Sequence, residues 1–320
     1  MGGAGGRTVA DLGEFGLIEA IRLQQPTGAG VLLGAGDDAA VVAAPDGRVV
    51  ISTDVLVEGV HFKGEWASSE DIGRRAAAAT LADIAAMGAT ATALVVSLAG
   101  PSAMSAQWAL GLAQGLAEEA ALVGASVVGG DLSKGRQVAV AVTGIGDLAG
   151  MAPVTRAGAR PGHVVALAGR QGWAAAGLAV LSRGFRSPRA LVEAYRRPQP
   201  PYSCGPLAAR AGATALIDVS DGLIADAGHI AAASGVSINL DPGALPVAEE
   251  LRAASAAFNL DPVSWVLAGG DDHALLATFA TVEAVPAEFR VIGRTEEESD
   301  APVLLGGQPW AGEPGHEHFR

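Results

Sequence analysis

Aspartates next to glycines or at the ends of apolar runs recur along this chain. They stand in GDDAAVV with Asp37 and Asp38, STDVLVEGVHF with Asp54 and His61, GGDLSKG with Asp131, DVSDGLIAD with Asp218, Asp221 and Asp226, and GGDDHALL with Asp271 and Asp272. In such settings backbone can approach a ligand closely and water is partly excluded. Carboxylates gathered in this way repel one another and lose solvation, so they take up protons or attract cations. Magnesium answers that need, because it prefers hard oxygen ligands and is commonly shared between a few carboxylates and a substrate's phosphates. One GDD or GGD alone reads as an ordinary turn; five such motifs in one chain do not.

Asp83 is telling by itself, as the sole acid in the run RRAAAATLADIAAMG. It reads either as a buried ion pair with Arg74 or Arg75 or as a metal ligand. Neither arginine lies three or four residues away, which favours the ligand. His61 reads equally as a satisfied core histidine or a substrate contact. Arg156, in the loop VTRAGARPG, is a surface charge or a phosphate contact. Lysine occurs only at Lys63 and Lys134, which leaves arginine or metal to meet a polyphosphate. Neither lysine lies in a GxxxxGK[ST] loop, so a Walker-type phosphate site is excluded. Asp226 is expected on a solvated helix face. His229 and His273 carry no assignment, and Trp66, Trp108, Trp173 and Trp265 read as packing.

The elements that must hold these residues follow from periodicity. Expected helices are 14–24, 70–87 with Ser69 as N-cap, 105–123, 173–181 and 223–233; expected strands are 49–53, 93–98, 126–128, 137–146, 164–169, 215–220, 236–240 and 274–279. The stretch 147–162 is rich in Gly, Pro and Arg without a period, which places a domain boundary near 150. A length of 320 residues, half of them hydrophobic, suits two domains with substantial cores. The architecture expected is α/β with mixed sheets. A formal charge of −13 argues against nucleic acid or an anionic membrane as partner. With Cys204 as the single cysteine no intrachain disulfide is possible, and a reducing, cytoplasmic setting fits. The apolar stretch 76–100 reads as a helix followed by a strand, not as a membrane span.

GEFGLIEAI, GDDAAVV, STDVLVEGVHF, TLADIAAMGA, GGDLSKG, TRAGARPG, IDVSDGLIADAGHI and GGDDHALL, in this order, resemble the thiamine-monophosphate kinases of the aminoimidazole ribonucleotide synthetase-like superfamily, from Glu14 to about Phe279. The resemblance implies ATP-dependent phosphorylation of thiamine monophosphate to thiamine diphosphate, by direct magnesium-assisted in-line transfer. It implies a homodimer whose N-terminal sheets pair, with an ATP- and metal-binding domain over 1–150 and a C-terminal α/β domain over 151–320 that completes the site. Carried over by motif, Asp37, Ser52, Thr53, Asp54, Asp83, Asp131, Asp218 and Asp221 would coordinate several magnesium ions. Gly130, Asp131, Arg156 and Ser220 would contact ATP, and His61, Asp271 and His316 the thiamine phosphate. No covalent or base residue is implied. This chain departs from the family's pattern at Asp271 and His273, where Glu and Tyr are usual, and at Ala113 and His316, where aromatics are usual. The competing readings are another ATP-using enzyme of the superfamily, such as an aminoimidazole ribonucleotide synthetase, and a catalytically silent nucleotide-binding scaffold.

Overall fold

The computed structural model describes residues 8–33, 40–312 and 314–316, with backbone alone at Glu14 and Phe15. The chain divides into two compact units. One comprises the residues up to Ile84 together with Ala91–Ala149; the other comprises Ala85–Thr90 and the residues from Gly150 onward.

The first unit opens with α1 (Val9–Arg22), which Thr8 and Asp11 cap reciprocally, each side chain accepting the other's backbone N–H. A two-stranded ribbon follows, β1 (Val31–Leu33) with β2 (Val41–Val42). The remaining elements are β3 (Val50–Val57), α2 (Ser69–Ala86), β4 (Thr90–Gly100), α3 (Ala106–Ala121), β5 (Ser126–Lys134) and β6 (Ala139–Asp147). They build a four-stranded sheet in the order β3, β6, β4, β5, so that β3 and β5 are opposite edges. β5 does not stop at Val128 but runs on through GGD to Lys134. It is held there by parallel pairing with β4, from Ala93 opposite Ser126 to Gly100 opposite Lys134. Glycine-rich sequence is weak strand material, and here the neighbouring strand overrides that weakness.

The start of α2 is capped by Ser68, one residue before the position expected. Its hydroxyl accepts the Asp71 N–H and the Asp71 carboxylate accepts the Ser68 N–H, at 3.2 and 3.0 Å. The alanine-rich stretch of α2 is buried, including Ala76, Ala77, Ala78, Leu81 and Ile84. Arg74 joins α2 to α3 through Glu118 and Glu119, so it is not the partner of Asp83.

In the second unit the elements are β7 (Val164–Ala168), α4 (Trp173–Ser182), α5 (Arg189–Arg196), α6 (Cys204–Arg210), β8 (Ala215–Val219), α7 (Leu223–Ser234), β9 (Val236–Leu240), α8 (Glu249–Phe258), α9 (Pro262–Ala268), β10 (Ala274–Phe279), β11 (Arg290–Glu297), β12 (Val303–Leu305) and β13 (Gln308–Pro309). Seven strands form one mixed sheet in the order β13, β12, β9, β11, β7, β10, β8. Every residue of β7, β8 and β10 is buried, which explains their nearly unbroken apolar runs. Within that block Asp218 is the one charged residue. Beneath the sheet Phe279 meets Phe289 edge to face, with centroids 5.7 Å apart, among Ala85, Ala86, Leu216 and Leu275. The proline-rich stretch from Pro198 to Pro206 runs into α6. Pro206 is tolerated because it falls in the first turn, where its missing N–H has no helical acceptor.

Candidate active site

In the first unit the site grows from strand alternation. Ser52 and Asp54 lie two apart on β3 and share its half-buried face, while Ile51, Thr53 and Val55 point to the exposed one. Across from Ser52 and Asp54 runs α2, where Thr80 and Asp83 lie three residues apart and so share one helix face. Ser52 donates its hydroxyl to Asp83 Oδ2 at 2.5 Å, and Thr80 donates to Asp54 Oδ2 at 3.2 Å. Two strand residues and two helix residues thus make a patch of carboxylate and hydroxyl oxygens. Thr53 turns the other way and its hydroxyl meets Val142 and Thr143, so it could reach that patch only through its backbone.

Asp131 stands exposed on β5, and Ser133, two residues on, donates to its Oδ2 at 2.7 Å. Three strand spacings separate β5 from β3 across the sheet, roughly 14 Å were the sheet flat. Gly130 has a packing reason: a Cβ there would lie 1.9 Å from the Val96 carbonyl oxygen of β4. His61 is held close to the end of β3, its Nδ1 accepting the Val57 N–H at 2.9 Å, which leaves Nε2 as the protonated nitrogen of the neutral ring. Asp37 falls outside the described residues.

In the second unit two loops and the tail are stitched together. The DVSDG loop follows β8, and the GGDDH loop precedes its antiparallel neighbour β10. Asp271 N–H bonds the Ser220 carbonyl at 2.9 Å, His273 N–H the Val219 carbonyl at 3.2 Å, and His316 N–H the Asp221 carbonyl at 2.9 Å. Ser220, Asp221, Asp271 and His316 are therefore neighbours through their backbones. Gly270 is needed for this approach, since a Cβ would sit 2.1 Å from the Ser220 carbonyl oxygen. His273 Nδ1 lies 3.0 Å from Asp218 Oδ2, both side chains buried.

Two further acids act on the backbone. Asp226, expected on a solvated face, is buried instead: its Oδ2 accepts the N–H groups of Asp221 and Gly222 at 3.0 and 3.1 Å, tying the start of α7 back to the loop. Burial, reinforced by the charges of Asp218 and Asp221, pushes its carboxyl up to about 7. Asp272 is also buried, and its Oδ1 accepts the Ala174 N–H at 3.0 Å in the first turn of α4. Its Oδ2 has no hydrogen-bond partner among the described residues, and burial raises this carboxyl to about 7 as well. Gln171 completes the support, donating to the Gly269 carbonyl at 2.6 Å.

Arg156 is set apart from this group. Its carbonyl accepts from the Ser234 hydroxyl at the far end of α7, whose span puts about 16 Å between that end and the DVSDG loop. Thr80, Ser133, His273 and Asp272 were not singled out from the sequence as partners of the acids. Spacing could have flagged Thr80, three residues before Asp83, and Ser133, two after Asp131. The other two depend on contacts between loops.

Magnesium fits the donors: Ser52, Asp54, Asp83, Asp131, Asp218 and Asp221 offer hydroxyl and carboxylate oxygens, the hard ligands it takes. Among the described residues, no three His, Cys, Asp or Glu side chains are gathered into a metal-ready group.

The model for the N-terminal domain of AIR synthase related proteins matches residues 36–148, and that for their C-terminal domain matches residues 160–304. A thiamine-monophosphate kinase of Mycobacterium tuberculosis is 49% identical over 313 residues, covering 98% of this chain and 93% of the relative. Among solved structures, the thiamine-monophosphate kinase of Stenotrophomonas maltophilia K279a aligns with a TM-score of 0.81 at 31% identity, over 92% of this chain and 96% of that one. AaThiL complexed with AMPPCP and TMP aligns with a TM-score of 0.80 at 30% identity, over 99% of this chain and all of the other.

Proposed function

This chain belongs to the thiamine-monophosphate kinase family of AIR synthase related proteins, and we propose that it transfers the γ-phosphoryl group of ATP to thiamine monophosphate, giving thiamine diphosphate and ADP. The observation that carries this reading is 49% identity to a thiamine-monophosphate kinase along nearly the whole of both chains. A relative of the same fold complexed with AMPPCP, a non-hydrolysable ATP analogue, and with TMP supports the pair of substrates.

In this reading Ser52, Asp54, Asp83 and Asp131, with Asp37, are the magnesium ligands of the first unit, and Asp218 and Asp221 are those of the second. Thr53 contributes through its backbone. Magnesium, when bound, supplies charge neutralisation for the triphosphate and for the acceptor phosphate. Gly130 brings backbone close to the nucleotide's phosphates, with Ser220 and the exposed Arg156 as further contacts. His61, Asp271 and His316 orient the thiamine phosphate. An acceptor phosphate is already ionised at neutral pH, so the protein's task is positioning, and the hydroxyl and carboxylate groups described above serve it without a strong base. A homodimer formed through the first unit is supported by the exposed Ile51 and Val55 on the outer face of β3, an edge strand. Cytoplasmic residence is supported by the buried free thiol of Cys204. Among the described residues no helix is long and apolar enough to cross a membrane.

The test is release of ADP from ATP with and without magnesium, against a panel of phosphorylated acceptors, with the product separated by chromatography. Magnesium-dependent ADP and thiamine diphosphate, formed in equal amounts only with thiamine monophosphate present, is the expected result. Equal turnover with an unrelated phosphorylated acceptor would remove the substrate assignment.

A further inference from the structure

We infer that His273 is a positioning residue for Asp218: its Nδ1–H holds Oδ2 of that carboxylate and leaves Oδ1 as the oxygen that would meet a divalent cation. The inference rests on the reading of Asp218 as a magnesium ligand given above.

An ionised carboxylate only accepts hydrogen bonds, so the 3.0 Å contact requires the proton on Nδ1 of His273. Asp218 and His273 are 4% and 6% exposed, so this bond cannot be exchanged freely for water. A buried carboxylate with one oxygen fixed can turn only about that anchor, which sets the direction of the other. The backbone that carries the imidazole is strained and fixed. His273 has φ +53° and Asp271 φ +67°, the left-handed region that costs a non-glycine residue on the order of 1–2 kcal/mol. The loop keeps that conformation because it is pinned from several sides: by the bonds of Asp271 and His273 to Ser220 and Val219, by Asp272 on the first turn of α4, and by Gln171 on Gly269. With the backbone so fixed, the imidazole meets Asp218 on β8.

The experiment measures Mn2+ binding to the whole chain by calorimetric titration, with and without AMPPCP, for the wild type, His273→Asn, His273→Gly and Asp218→Asn. Asparagine and glycine both accept left-handed backbone, but only the asparagine amide nitrogen overlays Nδ1. The expected result is a dissociation constant raised about 10- to 100-fold in H273G, as for loss of other groups that orient metal ligands, and within about threefold of wild type in H273N. Adding H273G to D218N should produce no further loss, because the histidine acts through the aspartate. If H273G does not fold, His273→Gln replaces it, since its amide nitrogen overlays Nε2 and cannot reach Asp218. Unchanged Mn2+ binding in H273G or its substitute, equal loss in H273N, or a wild type that binds no Mn2+ would each overturn the inference. A wild type that binds Mn2+ with this pattern yet makes no thiamine diphosphate would leave the positioning role standing and overturn the assigned reaction.

Discussion

The acids of the first unit and those of the second are the same residue type put to different physical uses. Asp54 and Asp83 are half-buried and Asp131 is exposed, and all three accept from hydroxyl groups, those of Thr80, Ser52 and Ser133. Where the pair is exposed, as at Asp131 and Ser133, such a hydroxyl exchanges easily for water or a ligand, so that carboxylate can be redirected at low cost. Asp226 and Asp272 are buried and accept from backbone N–H groups at the starts of α7 and α4. Releasing either acid would strand a donor at a helix start, so these carboxylates fasten loops. Asp218 stands between the two cases, buried yet bonded to a side chain. An aspartate's partner, more than its neighbours in sequence, separates a candidate ligand from a structural clamp.

The largest effect that would sharpen this contrast is expected at Asp131. Asp131→Asn should lower turnover about a thousandfold, close to 4 kcal/mol of barrier, with an unchanged thermal melt. Normal turnover in steady-state ADP release would break the contrast, because an exposed acid would then do nothing. At Asp272 a smaller effect appears in stability. Its folded-state pKa of about 7 lies above the ordinary 3.8, so between those values the folded chain holds a proton that the unfolded chain has lost. Stability from this group is therefore greatest in acid and declines as pH rises towards 7, by about 2 kcal/mol between pH 5 and pH 7. Asp272→Asn should remove that share of the decline, read as a smaller pH dependence of the urea midpoint for metal-free protein. A variant with the wild-type slope would show that this carboxyl does not titrate with folding. The smallest effect is at Thr80, where Thr80→Val removes the hydroxyl on Asp54 while keeping the shape of the side chain. It should cost about 1 kcal/mol in chemical denaturation, and a loss above about 3 kcal/mol would mean that Thr80 is itself a structural clamp.

Much of the local order was legible from residue types. The lone acid of an alanine-rich helix marked Asp83, and the structure puts it against Ser52, which the strand motif had already marked. The helix over 70–87 and the strands VVALA, ALIDV and ALLATF were readable because burial imposes period or unbroken apolarity on sequence. Periodicity misplaces Asp226, because it assigns a helix face but says nothing of a loop folding back over a helix start. Asp271 and Asp272 could not be told apart by spacing, although one lies in the strained turn and the other caps a distant helix. Local sequence ends β5 at its glycines, because the partner strand that holds it lies outside any local window.

Composition, charge and motif order by themselves determined the class of chemistry: a lysine-poor, acidic chain must meet phosphate with metal or arginine, and its aspartates are the available hard ligands. What only the tertiary structure decided is which oxygen of each aspartate is already taken, and by what. Hydrogen bonds between segments 20 to 100 residues apart, such as Thr80 to Asp54, His273 to Asp218 and Ala174 to Asp272, depend on strand register and loop closure. Neither quantity is encoded in the identity of the residues that end up in contact.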